Sequence, residues 1–377
     1  MRLRPGLVTD YRSDAGVFRS VTQRVWFGLL LALAVYLGGG GTIGPVNLSS
    51  DWLLFAVTAL FASIGAIGLN IITGMAGQIS LGHAFFMGLG AFTAAVLGGV
   101  PKANLVGLQL DMIIWLPAAG LVAALAGFLV APVATRVRGM YLAFVTLGLV
   151  FLGEHIFKSA ASLTGGAGLG REAAVISLFG FRLDQDGEVF GMFLSRSQKL
   201  FFLGLILLVV MGLAAKNLFR SRVGRALAAI RDRDIAAEMM GIPLARYKQI
   251  AFTVSSFYAG IAGALIWSVV GRLMAENFGF PESIKYIAMI LIGGVATVSG
   301  SIMGAFFITF LPKLVEGLAK FIPFISMSPS GGGFSGAKVE QVLYGLVLIG
   351  FLIFEPMGLY GIWVRIRNYW KAWPFSY

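Results

Sequence analysis

The feature that most constrains this chain is a succession of apolar runs with few charges inside them. Crossing the hydrocarbon of a bilayer as a helix takes roughly 20 apolar residues. Ten runs approach that length, near residues 26–44, 52–72, 79–99, 112–131, 140–158, 199–215, 250–271, 284–298, 300–318 and 340–355. Several are short or interrupted by glycine, and the pair at 284–298 and 300–318 reads equally as one broken hairpin. Composition agrees: 58% of residues are hydrophobic and 12% charged, whereas a soluble domain is about half apolar and about a quarter charged. Glycine contributes 51 residues, and small residues let membrane helices approach closely. The expected fold is an all-α integral membrane protein with about ten transmembrane helices. Trp26, Trp52, Trp115 and Trp267 fall near span ends, where interfacial aromatics belong.

The same residues exclude several chemistries. The chain has no cysteine, so it has no disulfide, thiol nucleophile or thiolate metal site. Its two histidines, His83 and His155, are too few for a metal cluster. No H-E-x-x-H, no G-x-S-x-G and no paired intramembrane carboxylates occur. No catalytic residue, metal or cofactor is therefore expected. The first 25 residues are polar and carry five arginines, unlike the n-region of a cleaved signal. The apolar run that follows reads as a retained anchor.

Charge orients the chain. With ten spans, residues 1–25, the Arg136 and Arg138 loop, the segment 216–249 and the tail 356–377 share one side. That side carries 18 Lys and Arg, and the other carries 11. The whole net charge of +12 falls on the first side, which the positive-inside rule makes cytoplasmic. Both termini are then cytoplasmic, the region 26–355 is the membrane domain, and the loop 161–199 is external. A basic chain can also signal nucleic acid, but no basic patch lies outside these loops. Lipid, and no nucleic acid, is the partner this charge implies.

One cytoplasmic stretch is unlike the rest: GRALAAIRDRDIAAEMMG, residues 224–241, with six charged residues in eighteen. It has no Pro or Gly between Arg225 and Met240 and is rich in helix formers, which predicts one helix. Ala229, Arg233, Ala236 and Met240 would share a shallow face able to sit in a partner's groove. Leu227, Arg231, Asp234 and Glu238 would lie on another. From these residues alone, a helix lying on the membrane surface is an equal reading.

A resemblance adds to this. Ala236, Ala237 and Glu238 followed by Gly241 resemble the coupling loop of ABC-importer permeases. The wider run from 224 to 265 is similar to the permeases of branched-chain amino-acid importers, and LNIITGMAGQISLGHAFFMGLGAF at 69–92 matches that family more sharply. RGMYLAFVTLG at 138–148, LTGG at 163–166 and GGVATVSGSIMGAF at 293–306 follow in family order. The long RG-M-Y and LTGG elements favour the LivM-type subunit.

The resemblance implies a BtuC/ribose-permease-like fold in a bacterial inner membrane. It also implies three kinds of partner: a homologous second permease, two ABC ATPase subunits and an extracytoplasmic substrate-binding protein. Arg231, Asp232, Asp234, Ala236, Ala237, Glu238 and Gly241 would then form the ATPase-coupling site. The small residues would permit close seating, the charged ones would set register, and Gly241 would end the helix. The division of labour has independent support, because no G-x-x-x-x-G-K-[ST] occurs and GGAGLG at 165–170 lacks the G-x-G-x-x-G spacing.

The rival class is an ion-coupled secondary transporter or channel for small solutes. It calls for ionisable residues inside the spans, and Glu154, His155, Lys285 and Lys313 all sit near span ends. A candidate path lies at ITGMAGQISLGH, 72–83, where Gly77, Gln78, Ser80 and His83 interrupt apolar sequence. Irregular backbone in a membrane belongs beside protein or a water-filled cavity, and transporters place broken helices at the substrate path. The plainer alternative is a turn with Ser80 as helix N-cap and His83 as a hydrogen-bonded packing residue. Gly300 and Gly304 suggest a close helix contact. In the external loop, Asp186 and Gly187 signal a hairpin, either a docking site for a binding protein or a lid. Ala167 and Gly168 follow LTGG where the family often has Ser-Asp-Gly. This departure leaves open whether the solute is a branched-chain amino acid, urea, an amide or another small polar molecule.

Overall fold

A computed structural model describes residues 21–39, 50–102, 105–137, 139–168, 170–189, 192–319, 325–326, 334–335 and 357–372, with scattered positions between 342 and 355. Most of the basic segment 1–25 lies outside the described residues. The helices are α1 (Val21–Gly38), α2 (Ser50–Asn70), α3 (His83–Gly98), α4 (Met112–Arg136), α5 (Met140–Ser159), α6 (Arg196–Arg220), α7 (Arg222–Asp232), α8 (Asp234–Met239), α9 (Leu244–Val270), α10 (Phe280–Gly293), α11 (Val298–Ala319) and α12 (Gly358–Ala372). Among the described residues, five segments are long and apolar enough to cross a membrane: Ser50–Met75, Met112–Val133, Tyr141–Ser159, Arg196–Arg220 and Leu244–Val270. Shorter apolar helices cover Gln23–Gly38, His83–Gly98 and Val298–Lys313. The described positions between 342 and 354 are helical.

The bundle is arranged around α2. From Ala59 to Asn70 every residue of α2 is buried, as expected of a helix that is apolar all round. It is surrounded by α6, α9, α10 and α11. Outer helices show the opposite: Leu121, Leu125 and Leu129 recur every fourth residue along α4, each at least 60% exposed. An apolar stripe left on the outside is a lipid-facing surface.

Glycine sets the inner spacing. A Cβ built on Gly90 of α3 would collide with the Gly260 carbonyl of α9, and one on Gly263 with the Met87 carbonyl. The backbones of α3 and α9 thus touch, with α4 packed against both. In the same way Gly293, Gly300 and Gly304 bring α10 and α11 together as a tight hairpin, the close contact expected of that motif. Trp115 departs from expectation. It is fully buried, its indole lying where a Cβ on Gly98 would fall, so it is a core residue and not an interfacial one. The tail 356–377 carries α12, which packs on the α10–α11 hairpin.

The loop 161–199 forms short β-ladders. β1 (Arg171–Glu172) pairs antiparallel with β6 (Arg272–Leu273), joining the loop to the end of α9. β2 (Ser177–Leu178) pairs with β3 (Phe181–Arg182), and β4 (Gly187–Val189) with β5 (Met192–Leu194). The hairpin expected at Asp186 and Gly187 is displaced. The two-residue turn is Phe179 and Gly180, both at positive φ (50° and 82°), while Gly187 begins a strand. Asp186 instead accepts the Arg196 N–H at 2.6 Å, at the start of α6. A phenylalanine is an uncommon residue at positive φ, so composition pointed to the wrong dipeptide.

Arg171 holds this cap in place. It is 3% exposed and donates to the carbonyls of Leu163, Ala95 and Val106, which belong to three separate segments. Burial pushes its guanidinium pKa down from the ordinary arginine value.

Candidate functional site

The charged stretch 224–241 lies at the opposite end of α5 from the β-cap. It is not one helix. Ser221 caps α7, its hydroxyl accepting the Gly224 N–H at 3.3 Å. Ala226, Leu227 and Ile230 bury one face of α7, with Leu227 packed among Met75, Ala76 and Ala251. At Arg233 the backbone turns extended (φ −154°, ψ 100°) before α8 begins. No local breaker forces this. Tertiary packing does, by seating Leu227 on the α2 extension and turning α8 against α9. The shared face expected of Ala229, Arg233, Ala236 and Met240 is lost with the break.

The end of α8 does follow the sequence reading. Gly241 has φ 81°, the Gly241 N–H reaches the Glu238 carbonyl at 2.9 Å, and the Ile242 N–H reaches Ala237 at 3.0 Å. This is the paired bonding of a Schellman C-cap, where glycine is favoured.

Individual residues sort into two sets. Asp232, Ala236 and Glu238 are exposed, and Asp234 is half-buried with its carboxylate accepting the Ile235 N–H. Ala237 is 4% exposed; it packs inward and is not available to a docking partner. Arg231 is exposed like Asp232, yet its guanidinium is tied to the bundle, donating from Nη1 to the Gly74 carbonyl at 2.7 Å. Sequence reasoning missed Ile235 and Met239, and it placed Met240 on a face that the break removes. They leave large apolar side chains on α8 in the open, 65%, 84% and 83% exposed. Apolar residues in an otherwise charged stretch were the available signal.

Beneath this segment lies the interrupted helix. After Asn70, α2 widens into a π-turn at Ile71–Met75, Gly77 adopts φ 66°, and α3 starts at His83. The loose backbone donors are met by other helices: Thr146 of α5 accepts the Leu81 N–H at 2.9 Å and Ser283 of α10 accepts the Ala84 N–H at 3.1 Å. Protein thus supplies what lipid cannot. Ser80 is not the N-cap, because Gly82 holds that position; its hydroxyl accepts the Gly82 N–H.

The two sequence-derived sites meet. Gly77 and Gln78 line a cleft of about 210 Å³ together with Gly139, Arg231, Asp234 and Lys248. Ser80 and His83 lie deeper, 3% and 2% exposed. The His83 ring sits 4.9 Å from that of Tyr286 and hydrogen-bonds the Gly65 backbone, as a packing histidine does. His83 Nε2, Tyr286 OH and Gln78 Oε1 are buried without partners among the described residues.

Charged groups in and beside the spans pair near helix ends. Lys158 reaches Glu154 at 2.7 Å and Glu276 at 3.7 Å, Lys285 reaches Glu282 at 3.8 Å, and Lys313 lies over Phe55 at 5.5 Å. No group of three metal-ligating side chains exists among the described residues.

Apolar helices around an interrupted, polar-lined pair, with a charged helical segment outside, define a multi-pass membrane transport protein. Known proteins narrow that class. The family described as the permease component of branched-chain amino acid transport systems matches residues 52–352, and the chain belongs to it. It is 30% identical over 354 residues to the Escherichia coli high-affinity branched-chain amino acid transport system permease protein LivM, covering 90% of this chain and 75% of that one. It is 28% identical over 291 residues to the autoinducer 2 import system permease protein LsrC of an Enterobacter species, covering 75% and 74%. It is 24% identical over 306 residues to E. coli LivH, covering 78% and 90%. No solved structure matches the chain.

Proposed function

We propose that the chain is the membrane-spanning half of an ATP-driven importer. It pairs with a homologous permease, receives branched-chain amino acids or a related small polar solute from an extracytoplasmic binding protein, and is powered by two separate ATPase subunits. The observation that carries this reading is α8, which presents Ile235, Met239 and Met240 to the outside while its neighbour α7 rests on the interrupted helix. An apolar helix face in a charged frame is the form that seats in a partner's groove. The full topology belongs to the same proposal: ten spans, both termini cytoplasmic, the segment 216–249 cytoplasmic and the cap 161–199 outside. The branched-chain preference rests on what LivM and LivH carry, and LsrC carries a different solute on a related chain.

The ion-coupled alternative is disfavoured because the charged residues Glu154, Lys158, Lys285 and Lys313 are engaged near helix ends and none forms an intramembrane relay. Reconstituted complex should transport with ATP present and ion gradients collapsed. Transport by this chain alone on a pH step would refute the reading. With no native cysteine, Asp186→Cys should label from outside only.

A further inference from the structure

The family reading says that an ATPase moves α7 and α8; it does not say how that movement enters the membrane. We propose that Arg231 is the positioning residue that ties the coupling segment to both helix interruptions of the bundle. The inference rests on the functional reading above.

The connection can be traced atom by atom. The aliphatic part of Arg231 packs on Gly77, where an added Cβ would meet Arg231 Cγ at 3.1 Å and Cα at 3.3 Å. Its guanidinium donates to the Gly74 carbonyl inside the π-turn at 2.7 Å. Gly74 in turn lies against Asn70 and Ala296, close enough that a Cβ there would collide with both. Asn70 is fully buried and uses its whole amide across the gap. Nδ2 donates to the Thr297 carbonyl at 2.9 Å and to Ser301 Oγ at 2.7 Å, and Oδ1 accepts the Ala296 N–H at 2.8 Å. Ala296 sits at φ 62° in the turn between α10 and α11, a conformation that costs a non-glycine residue and persists only when its surroundings hold it.

One arginine outside the bundle therefore holds the break after α2, and one asparagine inside holds that break to the break between α10 and α11. Displacing α7 must stretch the Arg231 bond, move the π-turn, or both. The π-turn leads through Gln78 and Ser80 to His83, so its movement reaches the bundle interior. Arg231 is exposed but commits its guanidinium to Gly74, and the outward residues Ile235, Ala236 and Met239 carry the ATPase contact.

The test separates assembly from coupling. Arg231→Ala should leave the ATPase subunits bound and hydrolysing, while solute moved per ATP falls about tenfold, the scale of side-chain coupling energies between sites. Arg231→Lys keeps one donor and should lose about threefold, a difference within that same scale. An Ile79→Cys reporter, 48% exposed in the native chain, should change its labelling rate on ATP binding in the parent complex and stop doing so with Arg231→Ala. Unchanged solute per ATP in Arg231→Ala, with subunits bound, overturns the linkage. If that variant fails to assemble, Arg231→Lys decides, and an unchanged ratio there overturns it equally. A parent chain that captures no ATPase removes the functional reading, and the linkage with it.

Discussion

The two ends of the bundle are built on opposite principles. The β-cap is closed by its own chain: buried Arg171 donates to three carbonyls, β1 is laddered to β6, and Asp186 is bonded at the start of α6. At the other end, α7 is anchored by Leu227, Ile230 and one guanidinium, while α8 leaves its largest apolar side chains uncovered. The contrast teaches where each end finds its stability. The cap is complete in the monomer, whereas the segment 224–241 leaves an apolar face open, as the proposed docking requires.

That difference can be tested by substitution. Arg171→Met has the largest expected effect on the fold. It strips three carbonyls of a donor, the buried one on Ala95 alone costing about 1–3 kcal/mol, and should lower the unfolding temperature of the chain in detergent. If stability is unchanged, the cap is not self-sufficient. Ala236→Trp should have the largest effect on assembly, abolishing co-purification of ATPase subunits by steric clash while stability stays at the parent value. Full capture and full transport would mean that α8 is a solvated helix after all. Gly241→Ala places a Cβ at φ 81° and should cost about 1–2 kcal/mol locally, weakening capture without touching the β-cap. Glu238→Ala should be the mildest, about two- to threefold in ATPase affinity, because an exposed rim charge tunes specificity and association more than strength.

The sequence made some of these elements readable and hid others for identifiable reasons. Long apolar helices were legible because hydropathy averages over many residues, and Gly241 was legible because only the C′ position rewards glycine so strongly. The break at Arg233 was not, since its cause lies in tertiary packing: Leu227 seats on Met75, Ala76 and Ala251, and Ile230 and Ala237 are buried on either side of the break. The same holds for Ala237, which belongs to a small-residue motif that reads as a contact surface yet faces inward. Ser80 lost the N-cap role to tertiary partners, Thr146 and Ser283, that are distant in sequence. The turn at Phe179 was hidden by its own unusual residue. Of the residues named from sequence, Gly77, Gln78, Arg231, Asp232 and Asp234 converge on one cleft, but the direction each side chain faces came only with three dimensions.

The touching backbones of α3 and α9 have a kinetic meaning as well as a structural one. Where Gly90 meets Gly260 and Gly263 meets Met87, there is no side chain to swing aside and no gap to compress, and α4 is fastened to the same pair. We expect these three helices to travel as a rigid body. Any cycle that exposes a solute first to one side of the membrane and then to the other must rock other parts, such as α5, α7 and the α10–α11 hairpin, around this block. The glycines thus decide which half of the chain is the frame and which half is the door.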